Sequence, residues 1–250
     1  MTITSSHNDK LKEIRKLARR RTRADAGRFV AEGEDLVVAA HAAGWTPRTL
    51  LAAAGSGLDG DEVEAHLLAS VSGLGSGTRQ LAVYESRWLR PAGPLCVALW
   101  GVGDPGNVGA VVRSALAFGA ASVVLGPGCA DPFGPKAVRA SMGAIFQVAV
   151  ARAEHAEELP GERVALVGRA GDALAGPARG ELTILVGAER EGLPAAVVAA
   201  CDRVAHIPIA SESLNAAMAA TVALYELSRG STESRGGSAI LGGPGLTRDA

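Results

Sequence analysis

Aromatic side chains are scarce in this 250-residue chain, with three Trp, two Tyr and four Phe. Its core must therefore be mostly Ala, Val and Leu, as where helices pack on a parallel sheet. Cysteine is scarcer still. Cys96, Cys129 and Cys201 stand far apart with no CxxC spacing, which argues against a disulfide framework and a zinc site. They read as small, reduced, buried residues. No apolar run approaches the roughly 18 residues that a membrane-spanning helix requires. The opening MTITSSHNDKLKEIRKLARRR lacks the apolar stretch of a secretory signal. The expectation is a cytoplasmic protein without membrane or metal.

What is present is globular: 48% hydrophobic and 20% charged residues, enough chain for one large domain or two modest ones. The net charge of −1 hides an asymmetry. Residues 10–28 hold nine basic side chains against Glu13 and Asp25, a balance of +7 that leaves the remainder at −8. A mildly acidic body with one basic end suits a polyanion docked at that end, although a solvated helix face would look the same.

Leu11, Ile14, Leu17 and Ala18 recur at helical spacing behind possible Ser, Asn and Asp caps. RRRTRADAG reads as a loop, RFVAE as a strand, and the stretch from Glu34 as a helix that Gly44 ends. TLLAAAG, DEVEAHLLAS and LAVYES then read as strand, helix and strand, completing a small α/β unit over residues 1–85. Two prolines and a glycine mark 86–94 as a linker. Beyond it, apolar runs at 95–100, 121–126, 146–151, 163–168, 182–187 and 203–209 are separated by several helical stretches, the last from about Leu214 to Ser228. This predicts a parallel sheet with helices on both faces over 95–229. The Gly- and Ser-rich stretch 230–250 reads as a disordered tail.

Three strand ends carry polar residues. The first, Gly101-Val-Gly103-Asp-Pro-Gly106, matches GxGxxG and raises a nicotinamide-binding turn. The acid expected roughly 20 residues on is displaced to Asp131. Just beyond, Asn107 can cap a helix on which Gly109 and Arg113 share a face, leaving room beside an Arg suited to phosphate. The second is Gly187, Glu189, Gly192 and Pro194. The third is Pro208 with Ser211 or Ser213 as a helix cap and Asn215 beside it. Each alone is an ordinary loop; together, in one sheet, they should converge on one crevice.

These motifs resemble the SpoU (TrmH-like) branch of the SPOUT RNA methyltransferases. Asn107-Val-Gly109-Ala-Val-Val-Arg113 with Phe118-Gly119-Ala120 resembles the first family motif. Leu185-Val-Gly187-Ala-Glu189-Arg-Glu-Gly192-Leu193 resembles the second, and Ile207-Pro208-Ile209 with Ser213-Leu214-Asn215 the third. The stretch at 131–146 is similar to the family's segment between motifs one and two, and the N-terminal unit to its RNA substrate-binding domain.

The resemblance implies a C-terminal trefoil knot, a homodimer with active sites near the interface, and methyl transfer from S-adenosyl-methionine to a ribose 2′-hydroxyl in RNA. The second docking domain favours ribosomal over transfer RNA. It implies cofactor contacts at Leu185, Gly187, Ile207, Ile209 and Leu214, and catalytic-site positions at Asn107, Arg113, Glu189, Ser213 and Asn215. The basic segment then offers Lys10, Lys12, Arg15, Arg19, Arg20, Arg21, Arg23 and Arg28 to RNA phosphates. Only Ala210, Ser211 and Glu212 separate the two halves of the third motif, shorter than is common in the family. A non-catalytic RNA-binding or ribosome-assembly protein is the alternative, and a nicotinamide-dependent oxidoreductase the other rival.

Overall fold

A computed structural model describes residues 2–73, 77–211 and 213–229; the stretch read as a tail and Glu212 lie outside them. Asn8 starts α1 (Asp9–Leu17) by accepting from the Lys10 amide, and the helix buries Leu11, Ile14 and Leu17. The arginine-rich stretch that reads as a loop is a second helix, α2 (Arg20–Ala26), ended by Gly27 at φ 61°. Its one buried residue is Arg23. Apolar periodicity has nothing to register there, because the buried face is an ion pair rather than a hydrocarbon.

β1 (Arg28–Glu32), α3 (Glu34–Ala42), β2 (Thr49–Ala53), β3 (Asp61–Val63), α4 (Ala65–Val71) and β4 (Gln80–Glu85) follow, with sheet order β1-β4-β2-β3. β3 corrects the sequence reading. Asp61–Val63 pairs in parallel with Leu51–Ala53, and the helix begins only after Glu64.

The second sheet is formed by β5 (Leu95–Trp100), β6 (Ser122–Leu125), β7 (Ala149–Arg152), β8 (Glu162–Leu166), β9 (Asp172–Ala173), β10 (Leu182–Gly187) and β11 (Arg203–His206). Its helices are α5 (Pro105–Ala117), α6 (Pro135–Ala140), α7 (Ala195–Ala199) and α8 (Ala216–Ser228). Every paired strand is parallel, in the order β7-β6-β5-β10-β8-β11-β9. Strand parity splits the core. Val97, Leu99, Ile184 and Val186 face α5, α6 and α8, whereas Cys96, Ala98, Trp100 and Leu185 face Leu193, Val197 and Cys201 around α7. β7 begins later than its apolar run suggests, because Ala144–Phe146 is a turn of 3₁₀ helix.

β10 enters between β5 and β8 although β8 precedes it in the chain. The carboxyl ends of β5, β10, β8 and β11 therefore stand side by side, and ligand crevices of open α/β sheets form outside such ends.

The scarce aromatics meet at the junction of the two sheets. Phe29, Trp45 and Tyr84 pack on Phe146, Phe29 and Trp88 pack on Phe133, and the Trp45 indole donates to the Phe146 carbonyl at 2.8 Å. Arg23 reaches Asp131 at 2.7 Å, and Arg139 lies 3.5 Å from the buried Glu32. The segment read as a linker is docked: Leu89 donates to the Val150 carbonyl beside β7. Among the described residues no helix is long and apolar enough to cross a membrane.

Candidate active site

Asp104, not Asn107, caps α5. Its carboxylate accepts from the Asn107 amide at 3.0 Å, and Pro105 occupies the first turn. Lys136 donates to the other carboxylate oxygen at 2.8 Å. These bonds, the Lys136 contact first, hold the Asp104 carboxyl below its ordinary range. A pyrophosphate on this turn would meet that carboxylate at the helix start, so the GxGxxG match is not a dinucleotide site.

Asn107 is thereby placed inside the first turn of α5, where its side chain is free to reach across to β10. Its amide donates to Glu189 Oε1 at 2.5 Å. The Asn215 amide donates to the same oxygen at 2.7 Å and to Asn107 Oδ1 at 3.2 Å. Asn215 also caps α8, its Oδ1 accepting from Ala217 and Met218 at 2.9 and 3.3 Å, in place of the expected serine. Three strand ends, 82 and 26 residues apart in sequence, are thus joined through one carboxylate.

Glu189 borders a small open cleft whose walls include Leu166, Val186, Gly187, Ile207, Ile209, Ser213 and Leu214. Gly187 serves a tight turn: a side chain there would meet the Gly192 backbone at 2.2 Å. The walls are aliphatic, with polar groups confined to backbone turns, Ser213 and the Glu189 carboxylate. An uncharged purine flanked by aliphatic side chains, joined to a cationic sulfonium near a carboxylate, matches that set.

Three expectations need correction. Leu185 does not line the cleft; parity turns it to the opposite face and brings Val186 in. Gly109 does not leave room for a ligand, because its missing Cβ admits α6, with the Ala137 carbonyl only 2.3 Å from where a Cβ would sit. Arg23 is buried and bonded to Asp131 and to the Leu17 and Ala18 carbonyls, so it is not a phosphate contact. Arg28 is half-buried and paired with Glu13 at 2.6 Å.

The other named basic residues stay at the surface. Lys10 pairs with Asp61, Lys12 with Asp9, and Arg21 with Asp25, while Arg15 donates to the Ser6 carbonyl and Arg20 to the Cys129 carbonyl. Arg19 is exposed. Arg113 is exposed too, does not line the cleft, and makes no hydrogen bond or ion pair among the described residues. Motif reading gives no site role to Leu166, Val186 or Lys136. The spacing of Lys136 carries no signal, since it lies on α6 and reaches α5 only in three dimensions.

The SpoU rRNA methylase family model matches residues 94–225, and an MRM3-like substrate-binding domain matches residues 8–83. The chain belongs to the SpoU rRNA methylase family. It is 29% identical to the 23S rRNA (guanosine(2553)-2′-O)-methyltransferase RlmP of Bacillus subtilis, over 90% of this chain and 98% of that one. An AdoMet-bound rRNA methyltransferase from Sinorhizobium meliloti superposes with a TM-score of 0.80 at 29% identity, covering 92% of this chain and 98% of the other. The SpoU methyltransferase AviRb from Streptomyces viridochromogenes, in complex with AdoMet, also gives 0.80, at 27% identity over 90% and 99% of the two chains. In this SpoU family member the Asn107–Glu189–Asn215 cluster borders the cleft at the carboxyl ends of the central strands.

Proposed function

We propose that this SpoU family member transfers a methyl group from S-adenosyl-methionine to a ribose 2′-hydroxyl of ribosomal RNA. The observation that carries the reading is the convergence of Asn107, Glu189 and Asn215 at the mouth of an aliphatic cleft. When bound, S-adenosyl-methionine supplies a methyl already activated by its sulfonium charge. What remains for the protein is chiefly to position the acceptor.

Val186, Gly187, Ile207, Ile209 and Leu214 are the residues suited to hold the cofactor. Glu189 sets both asparagine amides by accepting from each. Ser213, exposed at the same mouth, and Asn215 orient the acceptor hydroxyl. The short 210–212 connection does not prevent Ile209 and Ser213 from lining one cleft, which weighs against the non-catalytic alternative.

Arg113 belongs to a different surface of the same chain. It follows Asn107 by six residues, about 9 Å along a helix. Its neighbour Ser114 bonds to Thr221 of α8 at 2.7 Å, and Leu116, Met218, Val222 and Tyr225 are exposed on this helix pair. An apolar patch of this kind suits a second copy of the chain. In the resulting homodimer Arg113 completes the partner's site, binding the phosphate beside the acceptor ribose. A guanidinium offers five donors and no acceptor, so its role is phosphate binding and polarisation rather than proton removal.

We propose as well an RNA-docking unit over 1–85, a catalytic unit over 95–229 with a C-terminal trefoil knot, and a cytoplasmic location.

The test is transfer of labelled methyl from S-adenosyl-methionine to unmodified ribosomal RNA, followed by digestion to the nucleoside. A 2′-O-methylated nucleoside is expected. Arg113→Ala should lower turnover by orders of magnitude with cofactor affinity kept. A base-methylated product, or full turnover in the variant, would refute the respective assignment.

A further inference from the structure

Lys136 follows Pro135 at the start of α6, and its side chain crosses to the start of α5. Glycine at residue 106 leaves room for it: a Cβ at that position would lie 3.2 Å from Lys136 Cε. The ammonium therefore stands over the residue preceding Asn107, at the edge of the cluster joined through Glu189. One of its three donors is spent on Asp104, and its side chain remains 59% exposed. The proposed transfer chemistry makes no use of this cation.

The surface leading to Lys136 is contiguous with the basic N-terminal helix pair. Arg20 bonds to the Cys129 carbonyl, and Arg23 grips Asp131 in the same loop. That loop is stitched to the start of the cleft region, Gly101 donating to the Pro127 carbonyl and Ala130 to the Val102 carbonyl. It then runs directly into α6 and Lys136. Exposed Lys16, Arg19 and Arg20 thus lie at one end of a path whose other end is Lys136 and Asn107.

We infer that Lys136 is an RNA-positioning residue: it binds a phosphodiester close to the acceptor ribose, on a strand that crosses from the α2 surface into the cleft. The inference rests on the proposed transfer to a ribose hydroxyl, because every acceptor nucleotide in a chain brings its flanking phosphates with it. Only one donor of the ammonium is spent on Asp104, and the others are available to the phosphate.

Asp104 provides the discriminating variant. Asp104→Asn keeps an oxygen that can cap α5 but removes the carboxylate that competes with phosphate. Lys136→Ala should raise the KM for RNA roughly ten- to a hundredfold, the scale of one lost charge-assisted bond. kcat and S-adenosyl-methionine affinity should stay near wild type. The salt slope of RNA binding should become shallower by about 0.7–0.9. Asp104→Asn should leave RNA affinity unchanged or stronger, and Lys136→Arg should restore most of it.

If the ion pair only braces α5 against α6, Lys136→Ala and Asp104→Asn will alter KM and melting temperature alike, and the inference fails. An unchanged salt slope in Lys136→Ala overturns it as well. Neither result touches the proposed activity, which the wild-type enzyme's methylated product reads separately.

Discussion

Asn215 shows how much one side chain is asked to do. Its Oδ1 closes the first turn of α8, and its amide nitrogen faces Glu189 and Asn107. Both ends are committed, so the amide orientation follows from its bonds. Asn215→Ala should cost about 1 kcal/mol through the lost cap, read as a lower urea midpoint, and should also lower methyl transfer. Asn215→Asp should keep the cap and most of the stability at neutral pH. It replaces the donor facing Glu189 by a second negative charge, so its turnover should fall as far as that of the alanine variant. An aspartate variant with wild-type turnover would show that the amide donor has no part in the reaction. Leu185 carries the complementary lesson. The motif is legible in one dimension, but which of two adjacent strand residues lines the cleft depends on which face holds the pocket.

At the scale of elements, α2 separates two kinds of arginine that composition cannot tell apart. Arg23 is 6% exposed and bonded to Asp131, whereas Arg19 stands in solvent. Arg23→Ala should destabilise the protein by about 3–5 kcal/mol, because it leaves a nearly buried carboxylate without its partner. Arg19→Ala should leave the melting temperature within a degree or so while making the salt dependence of RNA binding shallower. Denaturation and filter-binding titrations on the two variants check this; equal effects on stability would contradict the division. Point substitutions are the informative tool here, since α1 places Leu11, Ile14 and Leu17 in the N-terminal core and its deletion would open that core to water.

For the whole molecule, the proposed dimer makes a quantitative prediction. If Arg113 completes the partner's site, Arg113→Ala and Asn215→Ala subunits are each inactive alone. A mixed dimer has one site with both native residues. Re-equilibrating equal amounts should therefore restore about a quarter of wild-type turnover, as expected for an isologous pair with random exchange. Light scattering should show a dimer throughout. No recovery on mixing, with exchange demonstrated, would place Arg113 and Asn215 in the same subunit's site.

The sequence by itself determined the parallel-sheet architecture, because unbroken runs such as LCVALW and LTILVG alternate with helical stretches, as strands covered on both faces by helices require. It determined the motif residues as well, since Gly187, Glu189 and Asn215 stand at strand ends in a recognisable order. Only the tertiary structure decided which positions meet. The insertion of β10 between β5 and β8, the burial of Arg23, the filling of the Gly109 notch by α6 and the reach of Lys136 to Asp104 are all contacts between distant segments. Local patterns report whether a residue prefers hydrocarbon or water, and what turn it permits. The partner that makes a buried arginine or an advancing lysine favourable comes from elsewhere in the chain, and folding alone brings it there.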